Sequence, residues 1–523
     1  MAAADVSPPA PAGGRARVLW NAAANYGGNA WTSLLGVVLV PVYVRYVGVE
    51  AYGLIGVFSV VQALASLLDL GLSTTLSREL AHRSGRGEGA ESLRGLVRTL
   101  SVVYWGVAVL LAAAMLGVAP LLAHGWVRAQ GLGEGQVSRA FLLMGLAFAL
   151  QWPASLYTGG LQGLQLHVRL NAVMAVVGTL RSLGALGVLA WVSPTLDAFL
   201  GWQIATAALQ TLALGILLAR ALPPGGARAR FNRAELLRVG RFAAGMSGLS
   251  VLSLVLTSAD KIVLSKLLDL RAFGYYTLAG TAVTALNRLV APLFSAYFPR
   301  LAQLAGEGRE GELAETYHHA CGLMSVIVLP AAAVLALFPR EVLWMWTGDA
   351  AIVRNAWVVL ALLSAGTALN ALMVLPYALQ VAFGWTRLLI VSNVVAIVVL
   401  VPAVLLLGMR WGPAGAAAGW LLLNAGYVLL QPPLVHRRLL RGELARWYLR
   451  DAGAPLLAAL VVAVGARLLL PWGEMARGHA VVQLGAVGAV AVTAAALTLP
   501  WVRTPVLRRL GVGAGRPAAE VLP

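Results

Sequence analysis

An all-α integral membrane protein of about 14 transmembrane helices is predicted by composition, hydropathy and the spacing of apolar runs. Only 11% of the 523 residues are charged and 59% are hydrophobic, whereas about a quarter of a soluble domain is charged. Mean hydropathy is +0.80. Apolar stretches long enough to cross a bilayer as helices recur from end to end, and in hydrocarbon a helix satisfies its own backbone hydrogen bonds. These stretches lack the period-2 alternation of a transmembrane β-barrel.

The spans are read at 18–42, 52–76, 98–122, 138–160, 169–191, 198–219, 241–265, 273–298, 317–338, 355–380, 386–408, 413–435, 452–470 and 480–501. An even number of spans places both termini on one side. Of the 39 Lys and Arg residues, 26 fall on that side, 10 on the other and 3 within spans. Basic loops are retained in the cytoplasm, so both termini are expected there, in a multi-pass protein of the cell inner (cytoplasmic) membrane. The formal charge of +18 comes from arginine, Lys261 and Lys266 being the only lysines. Because the arginines sit in short loops between spans, they set orientation, and nucleic acid is not an expected partner; the partner that they address is the lipid bilayer.

No chemistry-bearing soluble domain is expected. The longest loop, 220–240, is far shorter than the roughly 50 residues of the smallest domains. The sequence contains no GxxxxGK[ST] phosphate loop, no HExxH motif and no paired cysteines. Cys321, the only cysteine, reads as a small core residue. No catalytic residue, metal or cofactor is therefore expected, and energy would come from an ion gradient or a partner chain. Residues 1–14 read as a disordered cytoplasmic tail without the basic start of a signal peptide.

A weak internal repeat suggests how the spans are grouped. AYG at 51–53 matches AFG at 272–274, an offset of 221 residues, and each tripeptide follows a span and a short outer loop. Six intervening spans preserve orientation, which suggests a parallel repeat of six plus six. The expected layout is a six-helix lobe at 15–219, a basic cytoplasmic linker at 220–240, a second six-helix lobe at 241–436, helices 13 and 14 within 437–501, and a cytoplasmic tail at 502–523.

Five ionisable residues fall inside predicted spans, where charge is costly and implies a cavity or a partner. Arg181 lies 12 residues into its span, about 18 Å along the axis and near the midplane. It reads either as an anion site in a central cavity or as a structural partner of Asp69 or a helix carbonyl. Arg288, beside Asn287, is also deep. If both arginines line one cavity they could neutralise a phosphate or pyrophosphate without a metal. They are the candidate substrate-binding residues. Asp69, Asp260 and Lys261 are candidates for ion coupling or gating, with helix packing as the alternative use. Neutral polar residues, among them Gln62, Gln151, Gln210, Asn370 and Asn424, would either join helices or line a hydrated cavity for a hydroxyl-rich ligand.

Two stretches resemble a known family. VPVYVRYVGVEAYGLIGVFSVVQALASLLDLGLSTTLSREL (40–80) is similar to the opening of Wzx-type lipid-linked oligosaccharide (O-antigen/polysaccharide) flippases, with R-x-x-G-x-x-x-Y-G and then L-D-x-G-L. ADKIVLSKLLDLRAFGYYTLAG (259–280) resembles that family's D-[KR]-x-x-L followed by G-x-Y-x-x-A. The matching positions are Arg45, Gly48, Tyr52, Gly53, Asp69, Gly71, Asp260, Lys261, Gly274, Tyr276 and Ala279, for most of which the resemblance implies an architectural use. It also implies the fold of the multidrug/oligosaccharidyl-lipid/polysaccharide exporter superfamily, with two lobes around a cavity open alternately to either side. The implied activity is flipping of undecaprenyl-pyrophosphate-linked oligosaccharide units for polysaccharide and lipopolysaccharide biosynthesis, alongside a polysaccharide polymerase and glycosyltransferases.

Three alternatives remain open on the sequence. A multidrug exporter of the superfamily would favour acids in its cavity, whereas basic residues outnumber acidic ones three to two among those within spans. A peptidoglycan-precursor flippase would carry a serine- and arginine-rich first helix, unlike WNAAANYGGNAW at 20–31. A membrane glycan polymerase or ligase would have a large outer loop, and none is present.

Overall fold

The computed structural model describes residues 31–32, 34–65, 69, 71–224, 231–238, 258–472 and 476–509. The tail at 1–14, most of the first and seventh predicted spans, part of the linker and most of the C-terminal tail lie outside the described residues. Regular structure within them is helical, apart from an isolated bridge between Arg128 and Asp269. Nine described helices are long and apolar enough to cross a membrane. The chain divides into two compact units, Met1–Gly274 and Tyr275–Pro523.

The first unit contains α1 (Val40–Val47), α2 (Val49–Ala65), α3 (Leu72–Gly85), α4 (Ala90–Gly125), α5 (Glu134–Gly163), α6 (His167–Val192) and α7 (Leu196–Ala221). A further helix covers 258–267. Its centre is α5, which packs on α3, α4 and α7. Gly159 and Gly163 lie on the side of α5 facing α3, where an added Cβ would come within 2.3 Å of the carbonyl oxygens of Ser73 and Ser77. Small residues four apart let two helix backbones meet where lipid provides no hydrophobic drive for association. Leu76, Leu80, Leu96, Leu100, Trp152 and Leu156 fill the adjoining core.

The predicted second span, 52–76, is not one continuous helix. Helix α2 is described as far as Ala65, and α3 starts after Gly71, which has φ 74° and ψ 16°. That left-handed conformation suits glycine because it has no Cβ to clash. The Gly71 carbonyl accepts hydrogen bonds of 2.8 Å from the hydroxyls of Thr74 and Thr75. Within the L-D-x-G-L element, Gly71 thus interrupts the helix, and Asp69 lies just before α3.

The two tripeptides of the repeat meet in this unit. Helix α8 (Leu270–Glu307) begins here. A Cβ on Gly53 would lie 2.1 Å from the Leu270 carbonyl oxygen, and one on Gly274 would lie 2.3 Å from that of Val49. Neighbouring loops close over the crossing: the Leu270 amide donates to the Arg128 carbonyl at 2.9 Å, and the Glu50 carboxylate accepts from the Gln130 and Gly131 amides at 2.7 and 3.0 Å.

Part of the predicted linker docks on this unit. Residues 233–238 form a helix behind Asn232, whose side chain accepts from the Ala234 and Glu235 amides. The Asn232 amide donates to the Thr99 hydroxyl at 3.1 Å, and Glu235 pairs with the buried Arg83 at 2.6 Å.

The second unit contains the rest of α8, then α9 (Glu310–Leu337), α10 (Pro339–Thr347), α11 (Ala350–Ala382), α12 (Thr386–Leu439), α13 (Leu444–Leu469), α14 (Arg477–Leu497) and α15 (Pro500–Arg509). Helix α9 is its axis, against which α11, α13 and α14 pack. Helix α12 combines the eleventh and twelfth predicted spans, reversing at Trp411 and Gly412, whose φ of 58° and ψ of −140° suit glycine. Asn370 and Asn424 join α11 to α12 through a 2.8 Å hydrogen bond, so this pair serves helix packing.

Replacing Gly274 with Ala should destabilise the protein by about 1–3 kcal/mol through overpacking. Gly280→Ala, on the same helix with open space around it, should be neutral or stabilising by up to about 1 kcal/mol. Thermal unfolding of the two purified variants checks the contrast.

Candidate functional site

A cavity of about 640 Å³ opens within the first unit. Its lining follows helical spacing. Gln151, Ser155 and Thr158 recur at intervals of four and three on α5, Ser59 and Gln62 are three apart on α2, and Asp69 and Ser73 are four apart across the start of α3. Residues three and four apart share one helix face, so three elements each turn a polar face into one space. Gln210 on α7 completes the polar wall, and Phe148 and Trp152 add an aromatic edge, their ring centroids 5.5 Å apart at 73°.

Asp69 is the one carboxylate among the residues lining this cavity. The Tyr104 hydroxyl donates to its Oδ1, and the Ser73 hydroxyl to its Oδ2 at 2.8 Å. Two neutral donors hold the carboxylate in place while the side chain keeps acceptor capacity toward the cavity.

Arg181 stands behind the wall. Its Nη2 donates to Gln210 Oε1 at 2.7 Å and its Nε to the Thr206 hydroxyl at 3.4 Å. Thr206 and Gln210 are four apart on α7, and Gln210 also contacts Met174 Sδ at 3.3 Å. Among the described residues no carboxylate pairs with Arg181, so pairing with Asp69 is not its role in this structure. A guanidinium has five N–H donors, and the neutral contacts leave its charge uncompensated within the described residues.

The other sequence candidates lie elsewhere. Asp260 is half-buried and Lys261 exposed on the helix at 258–267, and neither lines the cavity. Arg288 belongs to the second unit, where it and Asn287 are exposed on α8. Sequence reading marked Gln62, Gln151, Gln210, Asp69 and Arg181. It missed Ser59, Ser73, Ser155, Thr158 and Tyr104, since hydroxyls commonly bond their own helix, as Ser155 does to the Trp152 carbonyl. The available signal was the spacing of 151, 155 and 158 on a single face.

Comparison with solved structures places this architecture. The fold matches that of lipid II flippase MurJ in an inward closed conformation, with a TM-score of 0.68 and 11% identity over 94% of this chain and 99% of that one. It also matches an inward-facing multidrug resistance MATE family transporter of the MOP superfamily, with a TM-score of 0.62 and 16% identity over 78% of this chain and 94% of that one. The fold is thus that of MOP-superfamily transporters, and these relatives are transporters and flippases rather than enzymes. The model of the polysaccharide biosynthesis protein family matches residues 18–305, and the chain belongs to that family. A candidate O-antigen transporter of Shigella flexneri is 21% identical over 404 residues, which cover 77% of this chain and 94% of the relative.

Tyr104→Phe removes a charge-assisted hydrogen bond to Asp69 and should lower stability by about 1–3 kcal/mol. Thermal unfolding in detergent measures it, and an unchanged midpoint would show that Tyr104 does not hold the carboxylate.

Proposed function

We propose that the chain flips undecaprenyl-pyrophosphate-linked oligosaccharide units from the cytoplasmic to the outer leaflet of the cytoplasmic membrane by alternating access. The observation that carries this reading is the lining of the first unit's cavity: hydrogen-bonding side chains on four elements, neutral except for Asp69, beside an aromatic edge, inside a membrane-spanning unit. Hydroxyls and amides replace water around sugar hydroxyl groups, and aromatic rings pack against the apolar faces of sugar rings. A pyrophosphate with its glycan cannot cross hydrocarbon unaided, because each polar group would lose its hydrogen bonds to water.

In this reading Arg181 supplies positive charge behind Gln210, and Arg288 supplies the corresponding charge from the second half. Asp69, Asp260 and Lys261 serve coupling or gating. The lobes at 15–219 and 241–436, joined by the linker at 220–240, serve alternating access, with both termini in the cytoplasm. Glycosyltransferases would supply the substrate and a polysaccharide polymerase would consume the product. Membership of the polysaccharide biosynthesis family supports the substrate class.

A second reading is flipping of a peptidoglycan precursor. It is favoured by the extent of the fold match, which reaches 94% of this chain for the lipid II flippase and 78% for the multidrug transporter. Both readings share a lipid-linked, pyrophosphate-bearing glycan, so vesicles loaded with either glycolipid separate them.

In reconstituted vesicles Arg181→Ala should slow glycolipid flipping about ten- to hundredfold, the effect of losing one charged hydrogen-bonding partner. Arg181→Lys should recover part of the rate. Normal flipping by the Arg181→Ala, Arg288→Ala double variant would overturn the assignment of these arginines.

A further inference from the structure

The second unit has a cavity of its own, about 540 Å³, where α9 and α13 begin and α14 ends. Its volume lies within the range of about 300–1,000 Å³ for small-ligand sites. Part of its lining is aromatic. The His319 ring of α9 stacks on Trp501 of α15, centroids 4.2 Å apart, and Tyr297 of α8 lies 6.2 Å from His319. The rest is charged: Glu315 from α9, with Arg446, Arg450 and Asp451 from the start of α13.

These charged groups differ in how far they are already committed. Asp451 is buried against His318. Glu315 accepts two hydrogen bonds from Arg446, of 2.8 and 2.9 Å. Its side chain is nevertheless 70% exposed, and a carboxylate has lone pairs beyond those two. Arg450 is exposed, and among the described residues no carboxylate pairs with it. The cavity thus presents one guanidinium to an anion and one carboxylate, held in place by Arg446, to a cation. Trp501, 42% exposed, adds an indole face, which attracts cations.

Charge and position together select the ligand. The fixed charges of the lining balance, Arg446 and Arg450 against Glu315 and Asp451, and Glu443 adds a further carboxylate 3.8 Å from Arg446. A purely anionic ligand would satisfy Arg450 but bring negative charge among these carboxylates, whereas a zwitterion answers both signs. Beside Arg450, Leu449 is 71% exposed, and Leu497 at the end of α14 is 38% exposed. Large apolar side chains exposed at the ends of spanning helices face lipid, and tryptophan is enriched at the depth of the headgroups. The zwitterion available at that depth is a phospholipid headgroup. A primary ammonium has three N–H donors for Glu315, which a quaternary ammonium lacks.

We propose that this cavity binds the headgroup of a membrane phospholipid bearing phosphoethanolamine, with Arg450 donating to the phosphate and Glu315 accepting from the ammonium beside Trp501. Arg446 is a positioning residue that fixes the Glu315 carboxylate. The acyl chains stay in the bilayer, and the bound headgroup joins α9, α13 and α15 at one end of the unit. The site rests on the membrane-spanning second unit and not on which lipid the chain transports.

The test uses the full chain in a nonionic detergent, with bound lipid counted by native mass spectrometry. Dioctanoyl phosphatidylethanolamine should bind one per chain, about tenfold or more tighter than dioctanoyl phosphatidylglycerol. Arg450→Gln should weaken that binding about tenfold or more, the effect of losing one charged hydrogen-bonding partner, and Arg450→Lys should recover part of it. Glu315→Gln should abolish the preference between the two lipids; should this variant not fold, Trp501→Leu takes its place and should weaken phosphatidylethanolamine binding severalfold. Equal binding of the two lipids, or native affinity in Arg450→Gln, overturns the site. Free phosphoethanolamine that displaces the lipid at equal concentration overturns the assignment to a lipid in favour of a soluble ligand. If the chain flips no glycolipid, the transport reading fails, and these affinities still decide the headgroup site.

Discussion

Hydrocarbon donates and accepts no hydrogen bonds, and the polar groups in these helices are arranged around that fact. An ionisable side chain at the bilayer centre costs about 2.5–3.5 kcal/mol on insertion scales, so it persists where protein or cavity water replaces the lost solvation. Asp69 is held by Tyr104 and Ser73, and Arg181 by Thr206 and Gln210. Asn370 donates to Asn424 between helices, and Asn424 donates in turn to the Trp420 carbonyl. The same constraint separates structural from available polarity: the asparagine pair is turned inward on itself, whereas Asp69, Gln151 and Gln210 border a cavity.

Building such a cavity requires helices that approach closely enough to bring their polar faces together. Glycine allows this in the first unit. Gly159 and Gly163 bring α5 against the backbone of α3, which sets Ser73 near Ser155 and Thr158 in a common lining. Gly71, in the left-handed region, starts α3, so that Asp69 lies just before that helix rather than within it. Local backbone geometry, helix packing and the chemistry of the cavity are therefore connected through a few small residues.

Much of this was legible in the sequence because the bilayer imposes a simple length and polarity code. The helical class, the apolar spans, and the prominence of Asp69, Arg181 and the glutamines all followed from it. The break between α2 and α3 was not legible from hydropathy, since L-D-x-G-L is apolar on average and its turn depends on one φ angle. The reversal at Gly412 was anticipated only as a gap between two spans. Serine and threonine were undervalued because a hydroxyl can bond its own helix or face a ligand, and the composition is the same in both cases. Matching AYG with AFG marked two glycines that contact each other's helices, a relation that sequence similarity alone does not express.

Membership of the polysaccharide biosynthesis family, the fold of MOP-superfamily transporters and a polar cavity with one carboxylate are the basis of the proposed movement of a glycan-bearing lipid. The most direct measurement is leaflet-resolved quantitation of lipid-linked glycan in cells lacking this chain. Complete, lipid-linked units should accumulate in the inner leaflet. Accumulation of unpolymerised units in the outer leaflet would show that flipping proceeds without it and would contradict the account.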